Sequence, residues 1–391
     1  MPNLKLCIST LDPFNKGGVL IMTKAVYRIA KDEGIVPFLV YNIVPSLRDD
    51  YYKKFDVEFI KLYKLRNINI LEEEIFGMKG IGIPRILPEF EFLNYVTNIR
   101  FWGEAIKNFD VYFAIGGNAL VALPYVFLNK DFCIWVASPL YEDRIDRIKK
   151  QKLLRKIRDY FSLPFLLYFE KLIFKKAKKI LALSQYTEKK IISKYKFTES
   201  KIFTIPYPID TQLFRPLNYE SRINNYILFT GRFTDPRKNI FLLLNAFLKI
   251  KQNYPYIKLK LVGDKINDKI SKFILENNLE NEIEIKEFID SKELIEYYQN
   301  ALLFIVPSLQ EGLCISALEA LACGVPVIST KCGGPEEFII DGYNGFLIEN
   351  NNLNALINKM INFLELNDKI KKEMSENARK FILENYSIEK I

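Results

Sequence analysis

The sequence predicts an α/β protein of two Rossmann-like, doubly wound parallel-sheet domains, and three observations predict it. Short apolar runs alternate with helical patterns in two separate series. Pro206 and Pro208 break the chain between the series, and glycine, charge or both stand where strands end. Strand, tight turn and helix in repetition imply a parallel sheet, because parallel strands need crossover connections. The 391 residues are 49% apolar and 26% charged, an ordinary globular composition at a length that favours two domains, each with its own core. The domains are expected over 1–206 and 215–374, with a last helix over about 375–391 that packs back onto the first domain.

In the first series a buried strand is expected over 4–9, and Asn15-Lys16-Gly17-Gly18 lead into a helical pattern over 19–31. Gly34 fits the residue that ends this helix, and a second strand follows over 35–41. Residues 57–62 and 68–71 read as short strands, 110–115 as a strand ending at Gly116-Gly117, and 132–137 as one ending at Ser138-Pro139. A strand over 180–183 leads to Ser184, a helix cap ahead of Glu188, and 201–205 closes the series. The second series places strands over 226–230, 257–262, 283–288, 302–306 and 325–329. Helices over 239–253, 266–277, 292–300 and 315–322 separate them. That is one complete doubly wound unit, whose ligands bind beyond the carboxyl ends of the strands.

Composition excludes much chemistry. No histidine occurs, which removes the usual general base near neutral pH, the Ser-His-Asp and Cys-His arrangements and the common zinc sites. No Asp-x-Asp occurs either, a spacing able to hold a metal against a diphosphate. Carboxylates, lysine, arginine, backbone amides and the substrate itself remain. Cys7, Cys133, Cys314, Cys323 and Cys332 form no Cys-x-x-Cys pair and are odd in number, which fits a reduced compartment. The first residues hold too short an apolar run for a signal peptide, and no uncharged apolar stretch has the length of a membrane span. The expected location is the cytoplasm.

The most informative segment runs from Pro307 to Ile328. Glu311 and Glu319 lie eight apart in it. Glu311 precedes the short helix beside Gly312, which permits close backbone approach, and Glu319 lies inside that helix. A helix start presents unpaired N–H groups and the positive end of the dipole, and so accepts a diphosphate without a metal. The plainer alternative makes Ser308 and Glu311, or Ser316 and Glu319, capping pairs, with Leu313, Ile315 and Leu318 in the core. Nearby, the segment from Phe229 to Asn239 sets Arg232 and Lys238 just past a strand end. Two cations there suit two phosphates, arginine through its planar fork. Leu261-Val262-Gly263-Asp264 and Lys331-Cys332-Gly333-Gly334-Pro335-Glu336-Glu337 end two further strands with glycine and charge, as a nucleotide site requires.

One ordered set carries a resemblance. It comprises Gly231-Arg232…Lys238-Asn239, Val262-Gly263, Pro307-Ser308…Glu311-Gly312…Glu319-Ala320…Gly324-Val325-Pro326-Val327-Ile328, Gly333-Gly334…Glu337 and Gly342…Gly345. It resembles the C-terminal half of retaining glycosyltransferases of glycosyltransferase family 4, which have the GT-B fold. The match spans about 180–350, and weaker similarity reaches Gly17-Gly18. The resemblance implies a nucleotide-sugar donor held by the second domain and an acceptor chosen by the first. It implies that Arg232 and Lys238 bind the donor diphosphate and that Glu311 meets the hydroxyls of the transferred sugar. Gly312, Leu313, Cys314 and Ile315 would face sugar and phosphate, near the strand-end glycines Gly231 and Gly263. Glu319 would hold the ribose, Phe288 and Ile289 would flank the base, and Gly17 and Gly18 would let the first loop approach. Glu311, Arg232 and Lys238 are the catalytic candidates. Retention, no metal and no other cofactor are further implications, with same-face attack in which the leaving diphosphate helps deprotonate the acceptor. Electrostatic stabilisation of that leaving group would then be the main catalytic term. Family frequency makes a UDP-hexose the first expectation and GDP-mannose the second, with a glycan, a lipid-linked group or another hydroxyl as acceptor.

The sequence departs from this pattern in three places. Many members carry a histidine at the end of a first-domain strand, where this chain has Ser138. Tyr207-Pro208 stand where Asn-Gly is frequent, and Cys314 replaces a frequent small residue. These departures keep open a GT-B module that binds nucleotide-sugar or glycan without catalysis, and a nucleotide-sugar epimerase of the same fold.

The charge is uneven. Residues 141–180 hold thirteen Lys/Arg against five Asp/Glu, nearly the whole of the net +9. Phe161, Leu163, Phe165, Leu166, Leu167, Phe169 and Phe174 are interleaved with them. One reading is a patch resting on anionic lipid. The other, favoured for the apolar residues, is a helix pair with its apolar stripe in the core and its charges in water. No nucleic-acid motif accompanies the charges.

Overall fold

The computed structural model describes residues 4–15, 17–44, 71–83, 91–149, 153–197, 199–217, 225–287 and 289–391. The chain divides into two compact units, one of residues 1–143, 152–183 and 188–204, the other of residues 144–151, 184–187 and 205–391.

The first unit is built on an eight-stranded sheet. Its strands are β1 (Lys5–Thr10), β2 (Val36–Asn42), β3 (Leu71–Ile75), β4 (Met78–Ile83), β5 (Val111–Gly116), β6 (Phe132–Val136), β7 (Lys179–Ala182) and β8 (Ile202–Thr204). Their spatial order is β3-β4-β2-β1-β5-β6-β7-β8. Every pair is parallel except the β3–β4 hairpin, whose turn at Phe76 and Gly77 takes positive φ at both residues. That conformation matches the twist of a two-residue hairpin. The strand expected over 57–62, and all but the last residue of that expected over 68–71, lie outside the described residues. Cys7, Ile8, Ala114, Ile115, Ile134 and Val136 are fully buried at the centre of the sheet. Order reverses between β1 and β5, so Gly17, ahead of α1 (Gly18–Asp32), and Gly116-Gly117 stand at a topological switch point.

One helix of this unit departs from expectation. In α2 (Leu153–Lys176), Leu166, Ile173 and Phe174 are buried, and Leu167 and Phe169 pack partly on the core. Phe161 and Phe165, expected in the core with them, are 71% and 48% exposed. At about 100° per residue Phe161 lies about 140° and Phe165 about 100° round the helix from Leu166, so neither points into the core with it. Among the described residues no helix is long and apolar enough to cross a membrane.

The second unit is an all-parallel six-stranded sheet of β9 (Tyr226–Gly231), β10 (Lys258–Gly263), β11 (Ile283–Glu287), β12 (Leu303–Val306), β13 (Val327–Thr330) and β14 (Gly345–Ile348). The order β11-β10-β9-β12-β13-β14 reverses between β9 and β12. Helix α3 (Ile240–Ile250) buries Leu243, Leu244, Ala246, Phe247 and Ile250 against this sheet's core. Helix α4 (Ile315–Ala322) is buried from Ala317 to its end. The last helix, α5 (Asp368–Asn385), belongs to this unit rather than to the first, where the sequence reading placed residues 375–391. The Ser375 hydroxyl donates to the Gly324 carbonyl at 2.5 Å, and Arg379 donates to the carbonyls of Ala322, Phe214 and Thr211 at 2.9, 2.6 and 2.8 Å. A short apolar face and one part-buried arginine on α5 thus find their partners at the end of α4 and along 211–214 (the sequence pattern shows the face but not what it meets).

Candidate functional site

The switch point of the second sheet collects the candidate residues, because one loop follows β9 and the other follows β12. At the end of β9, Gly231 has φ +155°, and a Cβ there would lie 3.4 Å from the Lys238 Cε. At the end of β10, a Cβ on Gly263 would lie 1.9 Å from the Gly231 carbonyl oxygen. Glycine at 263 is therefore a condition for the two strand ends to approach. After β9 the chain makes a single 3-10 turn, Pro236–Lys238, capped by Asp235 through the Arg237 amide at 3.1 Å. Asp235 Oδ2 also accepts from Arg232 Nη2 at 2.9 Å and Arg237 Nη2 at 2.7 Å. Arg237 Nη1 donates to Gln310 Oε1 at 3.1 Å, and the Leu309 amide donates to the Arg237 carbonyl at 2.7 Å. One buried aspartate thus holds Arg232 in place and locks the two loops together.

Glu311 sits where the loops meet. Its amide donates to the Cys332 carbonyl at 2.8 Å, and its carbonyl accepts from the Gly334 amide at 3.0 Å. Gly333, at φ +113°, could carry no side chain, since a Cβ would lie 2.6 Å from the Glu311 oxygen. On the side chain, Oε1 accepts from Lys238 Nζ at 2.7 Å and from the Ser308 hydroxyl at 2.6 Å. Both contacts fall on one oxygen, and among the described residues Oε2 takes no hydrogen bond. Lys238 and Glu311 side chains are only 18% and 12% exposed, whereas Arg232 is 49% exposed. Burial, the largest single effect, pulls the Lys238 pKa down, but the Glu311 carboxylate and then Cys314 together raise it by more, and the net shift is upward. The Arg232 charge is close enough to act on Lys238 in the opposite sense.

Beyond Glu311, Gly312, Leu313 and Cys314 lead into α4. Cys314 is its N-cap, at φ 69° and ψ 66°, with no side-chain cap. That left-handed conformation favours a residue without Cβ, so Cys314 holds a backbone that a residue with a side chain rarely adopts, and the structure gives no reason for the departure. The first backbone bond at this end is the Ala317 amide to the Cys314 carbonyl at 3.0 Å. The amides of Ile315 and Ser316 are left for a ligand, as expected at a helix start. The Cys314 thiol is pushed up to about 12 by burial and then by the Glu311 charge, so it stays protonated. The capping-pair alternative fails: the helix begins at Ile315 with Cys314 as its cap, Ser308 meets Glu311 outside any helix, and Glu319 takes a different partner.

That partner is Tyr298, whose hydroxyl donates to Glu319 Oε2 at 2.9 Å and lies 3.0 Å from the Thr230 hydroxyl. Burial pushes the Glu319 carboxyl up to about 7, against the Tyr298 hydrogen bond, which lowers it. Because the folded value is above the unfolded 4.5, Glu319 contributes stability that is complete below about pH 4.5 and is lost as pH rises through about 7. Melting temperature should therefore fall over that window more in the parent than in Glu319→Gln. Parallel melting curves across pH would overturn the assignment. Tyr207, at one of the departures, is close to the same carboxylate: burial raises its pKa, and the Glu319 charge adds to that.

Sequence reading missed Tyr298, Thr230, Asp235 and Arg237. The signal for Asp235 was its place before a proline turn; Tyr298 is one of two adjacent tyrosines in a helix, with nothing to single it out. Of the remaining candidates, Phe288 lies outside the described residues, and Ile289 follows β11, the edge strand, half-buried. In the first unit, Gly17 has φ +155° with no atom within 4 Å of a Cβ built there. Ser138 follows β6, buried, with its amide on the Gly117 carbonyl at 2.9 Å. Gly17, Gly18 and Ser138 thus stand at the ends of β1 and β6, on either side of β5.

Residues 218–381 match the family profile of glycosyl transferases group 1. An uncharacterized glycosyltransferase of Methanocaldococcus jannaschii is 32% identical over 215 residues, which is 55% of this chain and 57% of that protein. A probable sucrose-phosphate synthase of Thermosipho melanesiensis is 26% identical over 96% of this chain and 88% of its own length. The solved structure of Anabaena HepE with UDP and glucose superposes with a TM-score of 0.70 at 15% identity, over 98% of this chain and 96% of that one. The architecture, two parallel-sheet α/β units, is the GT-B fold.

Proposed function

We propose that this chain is a glycosyltransferase that moves a hexose from a nucleotide-sugar to a hydroxyl acceptor, with retention of configuration and without a metal. The observation that carries the reading is the Lys238–Glu311 pair, with Arg232 beside it and the open amides of α4 next in the chain. Two cations and a helix start are complementary to a departing diphosphate, and their charge is worth most where charge develops. Glu311 Oε2 would accept from the sugar hydroxyls. Glu319, relieved of its proton, would accept from the ribose, with Tyr298 holding it in position. Retention is then served by the leaving diphosphate, which would help deprotonate the acceptor on the same face. UDP-sugar is the first donor and GDP-mannose the second; the HepE neighbour, solved with UDP and glucose, supports the order. The first unit would take the acceptor, a glycan or a lipid-linked hydroxyl, past Gly17, Gly18 and Ser138. All five cysteines are free, which supports a cytoplasmic setting.

A thermal-shift panel of UDP, GDP, ADP and their hexose conjugates tests the donor. A ligand bound only by the native state raises the melting temperature, by about 2.7 kcal/mol of stabilisation at a hundredfold excess over Kd. UDP and a UDP-hexose should give the largest shifts; no shift with any diphosphate would overturn the reading. Release of nucleoside diphosphate without acceptor then separates a transferase from a module that binds only.

A further inference from the structure

Among the described residues, the outer face of α2 is largely exposed and meets the rest of the unit at Phe92. Ile157, Tyr160, Phe161, Phe165 and Tyr168 are 59%, 51%, 71%, 48% and 63% exposed. At about 100° per residue these five occupy one side of the helix, opposite Leu166 and Ile173. Phe161 packs on Phe165 with ring centroids 6.0 Å apart, and Phe165 stacks on Phe92 at 5.9 Å, so the aromatic surface is continuous. A run of exposed aromatics on a helix whose other side is already satisfied by a core is not explained by folding.

The same side continues into a positive end. Lys175, seven residues beyond Tyr168, lies on the same face and is exposed. It opens onto a cavity of about 390 Å³ lined by Lys130, Lys175, Lys176, Lys178 and Lys201, with Asp131 as the only acid there. Asp131 pairs with Lys178 at 3.2 Å, and Lys201 Nζ donates to the Lys175 carbonyl at 2.7 Å. The remaining excess of positive charge is concave and open to solvent. Burial, and then the Lys178 charge, depress the Lys201 pKa, as expected of lysines crowded without enough counter-charge.

We infer that the exposed aromatic face of α2 and the lysine-lined cavity at its end form one docking surface for an anionic lipid bilayer, with rings at the headgroup boundary and headgroup phosphates in the cavity. Tyrosine and phenylalanine suit that boundary because they are apolar bodies that tolerate a wet edge. Clustered lysines draw in the negative leaflet. A surface contact is also what the helix permits, since it does not meet the requirement for a span. The surface is independent of the donor site, so vesicle binding and UDP binding can fail separately.

The test is co-sedimentation of the full chain with vesicles of phosphatidylcholine alone or mixed with phosphatidylglycerol, at about 0.15 M salt. The chain should sediment with the anionic vesicles only. Phe161→Ser with Tyr168→Ser, and separately Lys175→Glu with Lys176→Glu, should each reduce the bound fraction at least about tenfold. An unchanged melting temperature and unchanged UDP binding would show that both variants fold. Recovery in the supernatant with both vesicle types overturns the proposal, as does binding that survives the aromatic pair of changes. A dimer in solution that Phe161→Ser with Tyr168→Ser returns to monomer, without vesicle binding, assigns the face to a second copy instead and also overturns it.

Discussion

Glu311→Gln is expected to lower transfer by at least about 100-fold while keeping the parent's helicity, at a lower melting temperature because Lys238 loses its buried counter-charge. The amide is the same size and can still accept one hydrogen bond on its oxygen, from Ser308 or from Lys238. What it removes is the negative charge. That charge raises the Lys238 pKa against the burial that lowers it, so the substitution acts on two donor contacts at once: the acceptor aimed at the sugar and the cation aimed at the phosphates. Loss of one preorganised group at a developing charge is worth about 10²–10³ in rate, and coupled groups do not lose less. The measurement is initial transfer rate with the donor selected by thermal shift, alongside helicity by circular dichroism. A variant as active as the parent, at unchanged helicity, removes Glu311 from the mechanism.

Lys238→Ala should abolish donor binding and also destabilise the second unit, whereas Arg232→Ala should do only the first. The sequence alone treats the two cations as equals. The structure separates them by burial: Lys238 is 18% exposed and paired with a carboxylate 12% exposed, while Arg232 is 49% exposed. Removing one partner of a buried pair leaves the other charge uncompensated, at a cost of about 3–5 kcal/mol. At about 2–4 °C per kcal/mol for a unit of this size, the melting temperature should fall by at least about 6 °C. Arg232 shares Asp235 with Arg237, so its loss leaves that aspartate partnered, and a surface pair is worth about 1 kcal/mol or less. Calorimetric titration with UDP and a thermal melt of both variants decide it. Equal melting temperatures with retained UDP binding in Lys238→Ala would overturn both the pairing and the phosphate assignment.

The sequence carried the loops better than their connections. Arg232, Lys238, Glu311 and Glu319 were legible because glycine, charge and strand ends are local signals, and the pattern repeats at fixed order along the chain. The β3–β4 hairpin was not, since Phe76-Gly77 takes the positive-φ turn without the Asn-Gly signature. Nor was β14, four residues long. Tyr298 could not be assigned, because its bonds reach 68 residues back to Thr230 and 21 forward to Glu319. Only the parallel register of β9 beside β12 brings those three together.

Legible without coordinates were the α/β class, the two series, the chemistry left after histidine is excluded, and the residues that stand at strand ends. These follow from composition, periodicity and nearest neighbours in the chain. Tertiary structure decided which oxygen of Glu311 is occupied, why Glu319 titrates near 7, which unit receives α5 and which face of α2 stays outside. Each of those depends on what lies opposite a side chain after packing, and burial sets the energy of a charge or an aromatic ring only once that neighbour is known.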